Sequence, residues 1–226
     1  MRWAVVVFPG SNCDDDAVHG IKQAVGDPVD KVWHQSSSLD DYDAIVLPGG
    51  FSYGDYLRSG AIARFSPVMR AVVEAASEGK LVLGICNGFQ ILTEAGLLPG
   101  ALLQNDHLQF RCEMVRLKVL NTSSPFTHLY APGSEIQIPI AHGEGRYFTD
   151  EAGLTALRQA NRLAFQYVKN PNGSIENIAG ILNERGNVLG MMPHPERAVA
   201  QWMGSRDGEK ILQSMHKYVE EGVQIG

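Results

Sequence analysis

The stretch Leu81–Gln90 reads Leu-Val-Leu-Gly-Ile-Cys-Asn-Gly-Phe-Gln and is the most informative part of the chain. Its first five residues form an apolar run typical of a buried strand, and a helical pattern begins at Asn87. Cys86 lies at the junction, with glycines two residues away on either side. Such an elbow strains the backbone of its central residue and leaves no room for neighbouring side chains. The pattern therefore predicts that Cys86 is a nucleophile at a helix N-terminus, where the helix dipole favours thiolate.

A simpler interpretation of such a cysteine is a buried core residue, because free Cys is among the most buried residue types. The flanking glycines and the change from strand to helix favour the elbow for Cys86. Cys13 and Cys112 lack this frame and are predicted to be inert, although Cys13 lies in a loop of functional character. The cysteine spacing indicates neither a disulfide framework nor a metal site, so we expect a reducing, cytoplasmic compartment.

A thiol nucleophile needs a base, and His194 is the leading candidate among the seven histidines. It follows the apolar run Val188–Met192 and lies between two prolines, which hold it in an extended conformation. In an extended chain residues two apart share a face, so the carboxylate of Glu196 is expected beside the imidazole. We predict that Glu196 orients His194, which in turn activates Cys86.

Acyl chemistry at a thiol also needs hydrogen-bond donors for the developing oxyanion. The backbone N–H of Asn87, next after the nucleophile, is one predicted donor. The second is expected from a loop at the end of a neighbouring strand, where Pro48-Gly49-Gly50 exposes bare backbone, and the N–H of Gly50 is the best candidate. Without this context the two glycines could equally form a plain turn.

The first half of the chain alternates apolar runs with helical patterns. The predicted strands are Trp3–Phe8, Ala44–Leu47 and Leu81–Ile85, and the predicted helices are Asp14–Val25, Pro67–Ala76 and Asn87–Ala95. This alternation predicts an α/β fold with a mostly parallel sheet and helices on both faces. Extra strands are predicted in the middle, then a hairpin and a final helix: Glu113–Leu120, Ile136–Ile140, Leu163–Val168, Ile178–Leu182, Val188–Met192 and Gly208–Glu220. Residues 1–226 are predicted to form a single domain.

Composition excludes several classes of protein. The 226 residues are 44% hydrophobic and 19% charged, with a net charge of −6, which is ordinary for a globular protein. No basic cluster indicates nucleic-acid binding. The apolar run Ala4–Phe8 is too short for a signal peptide, and no run approaches the roughly 18 residues of a membrane span. The chain also lacks the glycine patterns of P-loop and Rossmann nucleotide sites.

These motifs resemble a known family, the class I (triad) glutamine amidotransferases, in three places: Gly84–Gln90, Pro48–Gly50 and His194–Glu196. Three further stretches are similar to one branch of that family, the separate glutaminase subunits of phosphoribosylformylglycinamidine synthases: Phe8–Asp14, Gly50–Arg58 and His142–Arg146. The resemblance spans nearly the whole chain, and the candidate catalytic positions follow the family pattern.

The resemblance implies a flavodoxin-like fold and hydrolysis of glutamine to glutamate and ammonia through a γ-glutamyl thioester at Cys86. His194 would act as base and acid, and Glu196 would orient it. Ammonia would pass to a partner synthetase subunit, which uses ATP and Mg²⁺ to convert formylglycinamide ribonucleotide to phosphoribosylformylglycinamidine in purine biosynthesis. A small third subunit would complete the complex. No cofactor is expected in this chain, in keeping with the missing nucleotide motifs.

The remaining candidates concern the substrate pocket. Phe51 and Gln90 flank the proposed reaction centre and could line a glutamine site, or could serve only in packing and as a polar residue on the helix surface. His142 opens the glycine-rich segment His142–Arg146, which could be a pocket loop or a partner contact. The polar stretch Ser52–Arg58 could be a docking surface or a solvated loop.

Three other functions compete with the glutaminase subunit. One is a stand-alone cysteine hydrolase of the same elbow-bearing class, although such proteins usually lack the His-Pro-Glu arrangement. Another is an amidotransferase subunit of a different synthetase. The third is a binding subunit without chemistry, which would require a broken triad.

Overall fold

A nine-stranded sheet forms the centre of the molecule, as seen in a computed structural model that describes residues 1–222. The strand order is β2-β1-β3-β4-β11-β10-β9-β6-β7, and β5 pairs with β8 in a separate two-stranded sheet. The strands are β1 Trp3–Val7, β2 Val29–Trp33, β3 Ala44–Leu47, β4 Leu81–Ile85, β5 Ala101–Leu103, β6 Arg111–Val119, β7 Glu135–His142, β8 Arg146–Phe148, β9 Leu163–Tyr167, β10 Ile178–Leu182 and β11 Val188–Met191. The helices are α1 Asp14–Val25, α2 Pro67–Glu78, α3 Asn87–Glu94, α4 Glu151–Gln159 and α5 Glu209–Glu220.

The five strands at one side of the sheet, from β2 to β11, are mutually parallel. β2 and β3 lie on opposite sides of β1, so right-handed crossovers place α1 on one face of the sheet and α2 on the other. α5 packs against α1, and α3 packs against β3, β4 and β11. The predicted α/β architecture with helices on both faces is confirmed, and the strands β3, β4 and β11 are buried throughout, as expected of such a sheet.

The other side of the sheet, from β10 to β7, is antiparallel. The strands predicted in the middle of the chain are found here, and β10 and β11 form the predicted hairpin. β6 alternates exposed and buried residues toward its end, which indicates one face on the core and one toward solvent. Pro139 lies within β7, where it is tolerated because β7 is an edge strand.

Four elements were not among the predictions: β2, β5, β8 and α4. β2 carries Asp30 and Lys31 and forms the other edge of the sheet, so it lacks the apolar run by which buried strands are recognised. β5 and β8 have only three residues each. α4 begins at a recognisable cap, since the Asp150 side chain accepts a hydrogen bond from the Gly153 N–H at 2.8 Å. Within residues 1–222, no helix is long and apolar enough to span a lipid bilayer.

Candidate active site

Cys86 occupies the turn between β4 and α3, as the elbow pattern predicts. Its backbone has φ 51° and ψ −104°, a combination with positive φ that is unusual for a residue with a side chain. A Cβ added at Gly84 would lie 2.8 Å from the carbonyl carbon of Gly88, and one added at Gly88 would overlap the carbonyl oxygen of Leu47 in β3. The requirement for small residues on both sides of Cys86 is therefore confirmed, and at Gly88 the crowding comes from the neighbouring strand.

Adjacent parallel strands carry Cys86 and His194 to the same edge of the sheet. β4 pairs with β11 so that Ile85 is opposite Met191, and the Cys86 N–H donates to the Met191 carbonyl at 2.8 Å. His194 follows β11 directly, and its own N–H donates to the Pro139 carbonyl at 2.8 Å. The nucleophile and its candidate base are thus held by backbone hydrogen bonds, although they are far apart in sequence.

Glu196 holds the imidazole of His194, and both side chains are buried. The Nδ1–H of His194 donates to Oε1 of Glu196 at 2.7 Å, which leaves Nε2 free of any hydrogen-bond partner among the described residues. The extended conformation predicted for the chain from His194 to Glu196 is wrong for the residues after His194. Pro195–Arg197 form a short 3-10 helix, because proline fits the first position of such a turn, and this turn brings the carboxylate to the ring.

Opposing influences act on the charge of His194. Its burial lowers the pKa, but the negative charges of the Glu196 carboxylate and of ionised Cys86 outweigh that effect and raise the pKa of His194 to about 10. At neutral pH the imidazole is therefore mainly protonated. An imidazolium next to a thiol at a helix N-terminus is the arrangement that stabilises a thiolate.

Two glycines outside the elbow allow this close packing. A Cβ on Gly49 would lie 2.7 Å from Cε1 of His194, and one on Gly20 of α1 would lie 2.9 Å from Cβ of Glu196. Cys13, in the loop after β1, is buried beside Gly49. Burial raises the pKa of its thiol to about 12. Cys13 is thus a protonated thiol at neutral pH, in agreement with the expectation that it is inert.

The candidate oxyanion loop follows β3. Gly50 has φ +138° and forms a β-bridge with Ser11, and the Phe51 N–H donates to the Gly10 carbonyl at 3.1 Å. The Asn87 N–H is the first of α3, where helical N–H groups have no acceptor within the helix. The roles of Gly50 and Asn87 as oxyanion donors stay predictions.

The side chain of Asn87 has a structural role that was not predicted from the sequence. Its side-chain oxygen accepts a hydrogen bond from the Ser52 N–H at 3.1 Å, and its Nδ2 donates to Gln90 Oε1 at 2.8 Å. The Asn87 side chain is buried, so these bonds are shielded from water. They tie the loop that follows Gly50 to the first turn of α3.

Cys86 opens into a cavity of about 180 Å³. The predicted pocket residues Phe51, Gln90 and His142 all line it. Gly50, a predicted oxyanion donor, lines it as well. The other lining residues were not predicted individually from the sequence: Asp55, Ser59, Phe110, Ala141, Gly143 and Glu144. Phe110 precedes β6 and gave no signal, whereas Asp55 and Glu144 lie inside stretches that the family resemblance had already marked.

Two of the predicted pocket residues have their polar groups committed to the protein. The Nε2–H of Gln90 donates to the Glu144 carbonyl at 2.6 Å, which fastens the segment after β7 to α3. Burial lowers the pKa of His142 to about 4, so its ring is neutral. Its Nδ1 is 3.1 Å from Oδ1 of Asn105, and its Nε2 is 3.5 Å from Nδ2 of Asn172. His142 therefore shapes the pocket wall, and its contact with substrate stays a prediction.

Two other cavities lie near this edge of the molecule. One of about 150 Å³ is lined by Cys13, His194 and Arg197 and shares Gly50 and Phe51 with the Cys86 cavity. A larger one, of about 620 Å³, lies over β6 and contains none of the predicted site residues. The cavity of about 180 Å³ is the candidate active site, because it contains the nucleophile Cys86. In the part of the chain that the structure describes, no group of His, Cys, Asp or Glu residues could hold a metal ion.

Comparisons with known proteins agree with this geometry. A family model described as a CobB/CobQ-like glutamine amidotransferase domain matches residues 1–220. A chain in the structure of PurLQS from Thermotoga maritima is 50% identical, with a TM-score of 0.90 and coverage of 97% of this chain and 99% of that chain.

Two more distant structures share the fold alone. The glutaminase domain of a Trypanosoma brucei CTPS is 16% identical with a TM-score of 0.62, covering 100% of this chain and 96% of that chain. A glutamine amidotransferase from Thermotoga maritima is 15% identical with a TM-score of 0.59, covering 99% of this chain and 86% of that chain.

Proposed function

This chain belongs to the family of CobB/CobQ-like glutamine amidotransferase domains, and from that premise we propose that Cys86, His194 and Glu196 hydrolyse glutamine to supply ammonia to a synthetase. One observation carries the assignment of roles. Cys86 lies on a strained elbow beside a buried histidine whose Nδ1–H is held by Glu196 and whose Nε2 has no hydrogen-bond partner among residues 1–222. This geometry is that of an acyl-transfer triad.

The first half of the reaction releases ammonia. The Cys86 thiolate attacks the γ-carboxamide carbon of glutamine, and the carbonyl oxygen becomes an oxyanion that the N–H groups of Gly50 and Asn87 stabilise. The imidazolium of His194 donates its Nε2 proton to the amide nitrogen, and the C–N bond breaks. Ammonia departs, and a γ-glutamyl thioester remains on Cys86.

The second half restores the enzyme. His194, now neutral, accepts a proton from water, and the resulting hydroxide attacks the thioester carbon. The C–S bond breaks, glutamate leaves, and the thiolate and imidazolium form again. Glu196 stabilises the imidazolium in both halves and holds the ring in one orientation. No cofactor takes part in these steps.

The partner is the synthetase subunit of phosphoribosylformylglycinamidine synthase. The 50% identity to a chain of PurLQS over nearly the full length of both chains supports this assignment. We infer that the synthetase uses ATP and Mg²⁺ on formylglycinamide ribonucleotide, that a small third subunit completes the complex, and that the assembly is cytoplasmic. Residues 1–226 act in it as one glutamine amidotransferase domain.

The test uses the complex reconstituted from all of its subunits. Cys86→Ala should abolish glutamine-dependent formation of the amidine, while turnover with added ammonia persists. Cys112→Ala is the matched control, because Cys112 is an exposed cysteine outside the site, and it should leave both activities intact. Loss of both activities in Cys86→Ala would mean that Cys86 is structural. Fast glutamine hydrolysis that the synthetase does not alter would instead indicate a stand-alone hydrolase.

A further inference from the structure

A second cavity adjoins the one that contains Cys86. It has a volume of about 150 Å³ and is called the His194 cavity below, because His194 lines it together with Asn12, Cys13 and Arg197. His194 does not line the Cys86 cavity, and Cys86 does not line the His194 cavity. The catalytic pair therefore lies between two adjoining spaces. Four residues line both cavities and form the boundary between them: Gly50, Phe51, Phe110 and Ala141.

Polar groups in the His194 cavity can hold water. His194 is almost fully buried, and its Nε2 has no hydrogen-bond partner among residues 1–222. A buried polar atom of this kind is costly unless water or a ligand satisfies it. The guanidinium of Arg197 and the side-chain amide of Asn12 supply further polar groups. One water molecule occupies about 30 Å³ in the liquid, so the cavity has room for several.

The wall of the His194 cavity is fixed at Cys13 and Arg197. Nε and Nη2 of Arg197 donate to Oδ2 of Asp16 at 3.0 and 2.8 Å, and Nη2 also donates to Sγ of Cys13 at 3.1 Å. A Cβ on Gly49 would lie 2.7 Å from Cε1 of His194 and 3.1 Å from Sγ of Cys13, so the thiol and the imidazole lie side by side. The size of the side chain at position 13 therefore sets the space next to the imidazole.

We propose that the His194 cavity holds the water molecule that hydrolyses the γ-glutamyl thioester. This inference rests on the proposed function and adds the source of the water for its second half. While the thioester exists, the γ-glutamyl group fills the cavity on the Cys86 side, so water approaches the reacting carbon from the side of His194. Departure of the ammonia that His194 has helped to release leaves room for this water beside Nε2.

The hydrolytic step uses only groups already described. Water gives one proton to Nε2 of His194 as its oxygen forms a bond to the thioester carbon. The C–S bond then breaks with its electron pair on the sulfur of Cys86, and glutamate leaves and loses the remaining water proton from its γ-carboxyl group. Cys13 takes part only through its size, because its own thiol stays protonated at neutral pH.

The experiment fills the His194 cavity in the reconstituted complex. Cys13→Leu adds bulk beside the imidazole and should slow hydrolysis of the thioester without slowing its formation. We expect the glutaminase kcat to fall about 10-fold and KM to fall in proportion, so that kcat/KM stays nearly constant. Mass spectrometry after acid quenching should find the γ-glutamyl group on Cys86. Cys112→Leu is the matched control, since Cys112 is exposed and lies outside both cavities, and it should accumulate no thioester.

A second variant leaves the protein interior unchanged. Asn12 is exposed where it lines the His194 cavity, so Asn12→Trp obstructs the entrance without adding volume to the core, and it should also accumulate the thioester. Folded variants that accumulate no thioester would overturn the inference. A fall in kcat/KM without thioester would show that these residues only support the fold, and would overturn it as well. Absence of glutamine hydrolysis by the wild-type complex would contradict the proposed function itself.

Discussion

His194 shows how a single buried residue can be kept charged. Burial opposes the imidazolium, yet the pKa is raised to about 10, because Glu196 is 2.7 Å away and Cys86 is close by. The carboxylate is itself enclosed, with its second oxygen lacking a hydrogen-bond partner in residues 1–222. The charge state of the whole triad therefore depends on Glu196.

The substitution Glu196→Gln tests this dependence. It keeps the size of the side chain but removes the charge, so burial then dominates and lowers the pKa of His194. We expect the glutaminase kcat to fall roughly 100-fold. Alkylation of Cys86 by iodoacetamide at pH 7, followed by mass spectrometry, should slow in parallel. An unchanged alkylation rate would contradict the role given to Glu196.

The raised pKa of His194 also has a thermodynamic consequence. A group whose pKa is higher in the folded state stabilises the fold fully below its unfolded pKa of about 6.5 and loses that contribution as pH rises through the folded value. The stability advantage of the wild type over Glu196→Gln should therefore be largest below about pH 6.5 and decline toward pH 10. Urea unfolding across this range measures it, and an advantage that grows with pH would disprove the assignment.

Asn87 contributes through its side chain as well as its backbone. Removing the side chain in Asn87→Ala deletes the hydrogen bonds to the Ser52 N–H and to Gln90, and so frees the loop that follows Gly50. We expect kcat for glutamine to fall about 10-fold, because the oxyanion donors are no longer held in place. Thr93→Ala on the same helix is the control, since the Thr93 hydroxyl donates to the backbone carbonyl of Gln90. Equal losses in both variants would indicate a general effect on α3.

At the scale of secondary structure, the close approach of α3 to β3 decides the position of Cys86. Gly88 lies in the first turn of α3, directly over the carbonyl oxygen of Leu47. A larger residue there would push the helix away from the sheet, and the Asn87 N–H would move with it. The glycine thus acts by letting two elements come into contact.

Gly88→Ala should destabilise the protein, which is the opposite of the usual effect of this substitution in a helix. Replacing glycine by alanine within a helix ordinarily stabilises by about 1 kcal/mol. Here the overlap with Leu47 should destabilise the protein by roughly 1–3 kcal/mol. Gly143→Ala is the control for stability, because its nearest atom would be 3.8 Å away. Chemical denaturation of the three proteins gives the comparison, and a more stable Gly88→Ala protein would refute it.

How far the sequence could reveal these elements depends on how each one is stabilised. β1, β3 and β4 are recognisable because buried parallel strands are continuous apolar runs, and the elbow glycines are recognisable because few other residues fit. β2 could not be recognised, since its mixture of Val, Asp and Lys is typical of an edge strand. Phe110 and Glu144 join the pocket through pairing of β6 with β7, which no local pattern encodes.

At the scale of the whole molecule, a partly buried hydrogen-bond network joins the first strand to the last helix. Asp27, after α1, accepts hydrogen bonds from Nε1 of Trp3 at 2.8 Å and from Nδ1 of His216 at 2.8 Å. Trp3 is fully buried in β1, and His216 belongs to α5. α5 and α1 are thereby fixed over the parallel strands, and α1 packs on Glu196 through Gly20.

Asp27→Ala should destabilise the fold by about 1–3 kcal/mol, because it leaves the buried Nε1–H of Trp3 without an acceptor. Activity at a temperature where the variant is folded should be close to that of the wild type, since Asp27 lies outside the site. Thermal unfolding and glutaminase assays provide the two measurements, with the exposed Asp41→Ala as control. A loss of activity without a loss of stability would contradict this account.

The pairing of β4 with β11 also has a consequence during protein synthesis. The ribosome synthesises Cys86 directly after β4. His194 and Glu196 are synthesised only after β11, the last strand of the central sheet in chain order. A growing polypeptide therefore carries the thiol without its base. Hydrolysis of glutamine therefore cannot begin until β11 and the turn that follows it have joined the sheet.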